Sequence, residues 1–121
     1  MIEPIKTSLG ELHGRDAIYL DDERFNRSSK ELNLIGEVNG NLCSQKVAGE
    51  FIRYKVKFVG VRKWVKIELD EWLSLDKPKY HETSSFYRIE KNGINTYVFQ
   101  TYDWVFEIQC ESYEISFGEN T

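Results

Sequence analysis

Only two of the 121 residues are cysteine, two are histidine, two are proline and one is methionine, and alanine occurs just at Ala17 and Ala48. Cys43 and Cys110 stand alone, without a CxxC pair. That spacing predicts two free, buried thiols in a reducing compartment, with a single bridge in an exported protein as the alternative. His13 and His81 lie far apart and have no cysteine at zinc spacing, so no metal site and no cofactor are expected. GxxxxGK[ST], GxGxxG and GxSxG are all missing, which removes the usual nucleotide and hydrolase signatures. No apolar run approaches the roughly 18–20 residues that span a bilayer. The opening Met1-Ile2-Glu3-Pro4-Ile5-Lys6 lacks a basic stretch followed by an apolar one, so the expected setting is the cytoplasm.

What the chain does have is sheet-forming composition: ten Ile, eight Val, seven Phe, seven Tyr and three Trp. Such side chains lose rotamer freedom in a helix but fit a half-buried pleated surface. Period-two alternation predicts strands over 17–20, 32–38, 51–58, 61–69, 86–90, 97–101, 104–110 and 113–117. Short helices are expected over 22–30 and 70–75, and Asn92-Gly93 is a turn signal between two strands. The expected architecture is a mainly β domain over 1–121, an antiparallel β-sandwich or open barrel of about seven to eight strands.

The run through Gly60 attracts the most attention. With Val59-Gly60 as a two-residue turn, Ile52, Tyr54, Val56 and Phe58 would share a face with Val61, Lys63, Val65 and Ile67. The other face would carry Arg53, Lys55, Lys57, Arg62 and Lys66 around Trp64. These six residues are the candidate binding set, because like charges opposite one another weaken a ladder unless something anionic offsets them. One source is internal: Glu107, Glu111, Glu114 and Glu119 fall in a stretch without Lys or Arg. The other is an acidic protein partner. Nucleic acid is disfavoured, since the net charge of -4 supplies no broad positive field.

Residues that could carry chemistry are few. Ser84 and Ser85 follow His81, and an enzyme would need His81 to meet Glu82 or Asp103 in a cleft. Asp21-Asp22-Glu23 lacks the ligand alternation and glycine of a calcium loop. Glu68 and Asp70 could share one strand face, but a strand end entering a solvated turn explains them as well.

The succession Phe58-Val59-Gly60-Val61, Glu68-Leu69-Asp70, Ser84-Ser85-Phe86, Tyr97, and Thr101-Tyr102-Asp103-Trp104-Val105-Phe106-Glu107-Ile108 resembles small bacterial β-rich proteins. Some of these are similar to immunity proteins encoded beside polymorphic toxins. The likeness covers residues 58–114 and rests on strand and turn spacing. It implies a bacterial cytoplasmic domain that works by binding, and it transfers no catalytic residue.

The sequence therefore predicts a non-enzymatic interaction domain that presents a charged face around an aromatic anchor. A small-ligand-binding β-barrel is the rival, requiring an interior pocket on the scale of ~300 Å³. An enzyme using His81 is the more distant one. No membrane partner is expected, and an exposed edge strand would allow a weak homodimer.

Overall fold

The computed structural model describes residues 2–12, 17–40, 51–75 and 84–118. Among the described residues nine strands and one short helix follow in chain order. They are β1 (Ile2–Pro4), β2 (Ile18–Asn26), β3 (Glu31–Asn39), β4 (Phe51–Val59), β5 (Lys63–Glu68), α1 (Leu69–Ser74), β6 (Phe86–Lys91), β7 (Ile94–Gln100), β8 (Trp104–Gln109) and β9 (Ser112–Phe117). The strands form two antiparallel sheets in the orders β2-β3-β4-β9 and β1-β6-β7-β8-β5. This is a sandwich, with one strand more than the upper end of the sequence expectation, and the sheets do not close into a barrel. No helix among the described residues is long and apolar enough to cross a membrane.

Alternation explains the first sheet. Leu32, Leu34 and Val38 on β3, and Tyr54, Val56 and Phe58 on β4, turn inward and are buried. Opposite them lie Phe86, Tyr97, Phe99, Phe106 and Ile108 of the second sheet. Phe58 meets Phe86 and Phe99 edge-on at 6.1 and 6.4 Å between ring centroids, a geometry aromatic quadrupoles favour. At one side of the sandwich Tyr113 stands against Phe86 and Tyr97; at the other Phe25 meets Trp64 at 5.8 Å. Large rings thus pack the described interior between the two sheets.

The second sheet is covered on both faces. Its outer side presents Tyr87, Val98 and Val105, and α1 lays Leu69 and Trp72 across them to form a second buried cluster. Trp72 Nε1 donates to Glu107 Oε2 at 2.8 Å, so the carboxylate satisfies an indole that would otherwise lose its water. Glu107 therefore anchors the helix to the second sheet. The helix over 70–75 is found at Leu69–Ser74, which takes Asp70 off the strand and away from a shared face with Glu68.

Three other expectations are corrected. The hairpin through Gly60 does not exist: β4 belongs to one sheet and β5 to the other. Either primed two-residue turn requires positive φ at its first central residue, and β-branched Val59 is costly there. Only Gly60 takes it, at φ 67°, and the chain crosses over with Val61 N–H bonded to the Lys30 carbonyl and Arg62 N–H to the Gln109 carbonyl. The helix over 22–30 is instead the second half of β2 followed by a turn. Pairing with β3 continues to Asn26↔Glu31, and Asn26 Oδ1 accepts the Ser28 and Ser29 amides. Finally, Trp64 faces the sandwich interior, for reasons given below. The Asn92-Gly93 turn is as expected, with φ of 55° and 78°.

Candidate functional site

The six candidate binding residues separate. Arg53, Lys55 and Lys57 do share the outer face of the first sheet, as the parity of β4 requires. Trp64 and Lys66 sit on the inward side of β5, opposite Ile108 and Phe106 of β8. Trp64 is half-buried between Phe25 and Phe106, because the outer side of β5 is already committed to α1 through Ile67. Arg62 is exposed at the crossover. The single face of five cations and an indole is therefore split between two sheets.

The internal source of counter-charge is partly realised. Lys57 lies opposite Glu114, and Arg53 lies opposite Glu37 with Asp21 3.9 Å from its guanidinium. Lys55 has the uncharged Ile35 and Ser116 as its cross-strand neighbours. With Lys57, Glu114, Ile115 and Ser116 it borders an open groove of about 310 Å³. Glu111 packs beside Gly60, and Glu119 lies outside the described residues.

A larger concavity, about 420 Å³, lies elsewhere, where the β7–β8 turn meets β2. Its geometry starts with a β-bulge. Register between β2 and β3 shifts between Leu20 and Asp22, so Asp21 is the extra residue and the strand bends. Tyr54 Oη donates to the carbonyl of Tyr19 at 3.0 Å, which fixes the entry to the bulge from below. Burial, helped by the Asp21 charge, pushes the Tyr54 phenol far above its ordinary ionisation range, so it stays a donor.

The turn across the cleft is held from several sides. Thr101 Oγ1 donates to the Trp104 carbonyl and accepts the Trp104 amide. Tyr102 N–H bonds the Ile18 carbonyl at 2.8 Å, and the Leu69 amide bonds the Asp103 carbonyl at 2.9 Å. Tyr102 is thereby stacked on Tyr19 at 5.4 Å, and Tyr19 meets Phe51 edge-on at 5.7 Å. Phe51 and Tyr102 are 55% and 40% exposed, so this aromatic row is a surface feature.

Acids line the same concavity: Asp21, Asp22, Glu23 and Asp103. At its floor Lys66 Nζ donates to Glu23 Oε1 and lies 4.2 Å from the centroid of the Trp104 ring. The two side chains are only 28% and 27% exposed, whereas the Arg24–Asp22 pair at the rim is 79% and 45% exposed. The floor pair is therefore less open to water and salt than the rim pair. Chemically this is a cation seat, an aromatic face beside a carboxylate.

Among the described residues the other chemistry-bearing side chains do not gather. Cys110 is buried, bonds the Ser112 carbonyl at 3.4 Å, and has its thiol pushed up to about 11 by burial. Cys43, His13, His81 and Glu82 lie outside the described residues. Ser84 and Ser85 are buried, with Ser84 Oγ bonded to the Phe86 backbone. Among the described residues no three His, Cys, Asp or Glu side chains are grouped to hold a metal ion.

The cleft residues were reachable from sequence only in part. Asp21-Asp22-Glu23 interrupts the alternation of β2, which is the signature of a bulge, and Thr101–Trp104 has turn chemistry. Nothing local says that the two segments meet. Compared with known protein families, curated proteins and solved structures, the chain finds no match in any of the three.

Proposed function

We propose that this chain is a non-enzymatic binding domain whose contact surface is the cleft between β2 and the β7–β8 turn, and that it takes a cationic group from a protein partner. The observation that carries this is the Lys66 ammonium, held on Glu23 against the Trp104 ring in a concavity with three further acids. An incoming guanidinium or ammonium finds the same chemistry at the rim. Tyr19 and Tyr102 offer ring faces there, and Asp21 and Asp22 pair with the exposed Arg53 and Arg24, which a bound cation can displace, while Asp22 also accepts the Glu23 amide. Phe51 extends the surface as an apolar anchor. This reading replaces the basic face around Trp64 with an acidic cleft, with Tyr102 and Phe51 supplying the aromatic contacts. An immunity-type role, blocking a toxin by occupying its surface, is one form of such binding and rests on the sequence likeness alone.

The test is fluorescence anisotropy with short labelled peptides, arginine-rich against aspartate-rich. The arginine-rich peptide is expected to bind, and Asp103→Asn with Tyr102→Ala to weaken it about tenfold or more, the ~1.4 kcal/mol per decade expected of lost cation–π and charge contacts. Equal binding by the double variant would overturn the assignment.

The groove at Lys55 favours a second reading, an acidic partner on the outer face of the first sheet. Its support is that both cross-strand neighbours of Lys55 are uncharged. Preference for the aspartate-rich peptide, lost in Lys55→Glu, would establish that reading over the first.

A further inference from the structure

Four strands end the two sheets, and three of them carry features that discourage pairing with another chain. β1 has three residues and ends in Pro4. β5 displays Lys63 and Lys66. β2 is bent by its bulge and carries Asp21, Asp22 and Arg24. β9, Ser-Tyr-Glu-Ile-Ser-Phe, has no lysine, arginine, proline or bulge within its pairing to β4.

The phase of the ladder tells which backbone groups β9 turns outward. Gly118 N–H bonds the Arg53 carbonyl, so Ser112, Glu114 and Ser116 direct their backbone groups to β4. Tyr113, Ile115 and Phe117 direct theirs away from it, and no strand of the described residues lies beyond. The same three side chains are only partly buried against the core, although they face inward.

We propose that β9 pairs antiparallel with β9 of a second copy of this chain, about a two-fold axis at Ile115, joining two four-stranded sheets into one of eight. The occupant follows from self-complementarity. In this register Ile115 faces Ile115, Tyr113 faces Phe117 and Glu114 faces Ser116, so no like charges stand opposite each other. Each Glu114 keeps Lys57 as its neighbour in its own sheet. The apolar trio on each strand gains cover from its counterpart. The clefts lie at the β2 edges, at the two far ends of the joined sheet, so this pairing is independent of the binding reading.

Sedimentation equilibrium on the full chain reads the mass, and amide exchange by NMR reads the site. The mass is expected to rise with concentration toward two chains, and the Tyr113, Ile115 and Phe117 amides to become about tenfold or more protected over the same range. Ile115→Lys should shift the association to higher concentration by a similar factor. Because that variant could unfold, exchange on the unaltered chain decides the matter by itself. A single-chain mass at every concentration, or association that leaves those three amides unprotected, would overturn the proposal.

Discussion

Tyr54 and Tyr19 meet over a glycine: the Tyr54 hydroxyl donates to the Tyr19 carbonyl at 3.0 Å, across the space a side chain at Gly36 would occupy. A Cβ there would stand 1.9 Å from that carbonyl oxygen and 2.9 Å from the hydroxyl. Gly36→Ala must displace backbone, and is expected to cost about 2–4 kcal/mol. Tyr54→Phe keeps the ring and loses the bond, for about 1–2 kcal/mol. Urea unfolding followed by circular dichroism measures both, and a smaller loss for Gly36→Ala than for Tyr54→Phe would contradict this packing.

Glycine has a different role at the β6–β7 turn. Gly93 has φ 78° and nothing within 4 Å of an added Cβ. Gly93→Ala should therefore cost only the left-handed backbone penalty, about 1 kcal/mol. Thermal unfolding of the two alanine variants side by side should rank Gly36→Ala clearly below Gly93→Ala in stability.

The helix α1 depends on one indole. Trp72→Ala is expected to remove about 3–5 kcal/mol, because it opens the second core cluster and takes the donor from Glu107. Trp72→Phe should cost about 2 kcal/mol, chiefly the charged hydrogen bond. Amide exchange within Leu69–Ser74 should accelerate more than exchange in β3 and β4. Uniform acceleration would mean that the helix is not a separable layer.

Alkali should unfold the protein. Burial raises the ionisation of Cys110 from 9.0 to about 11, and that of Tyr54, Tyr97 and Tyr113 above 10.0. A raised folded-state value means the fold holds protons that the unfolded chain has released. The stability is complete below about pH 9 and is lost as pH climbs past the ordinary values toward the folded ones. Unfolding free energy measured from pH 7 to 11 should be flat and then fall. The fall should be shallower in Tyr54→Phe, and an unchanged slope would remove Tyr54 from the account.

Much of the fold was legible because alternation is a local signal. The strands around Leu34, Val56, Phe106 and Ile115 were readable from their own neighbours, and so was the turn at Asn92-Gly93. What was not legible was long-range. Val59-Gly60 reads like a hairpin turn until the φ demand on Val59 is weighed, and only then does the crossover between sheets follow. Trp64 faces inward because α1 covers the other side of its sheet, a fact that parity within β5 cannot contain. The cleft depended on Asp21 and Tyr102 converging from segments eighty residues apart, with a backbone bond from Tyr102 to Ile18 holding them together.

The most direct test is an NMR titration of the isotope-labelled chain with a short arginine-rich peptide. The account predicts saturable, salt-sensitive shifts concentrated at Tyr19, Tyr102, Asp103 and the Trp104 indole. Shifts gathered instead around Lys55 and Ser116, or none that saturate, would contradict it.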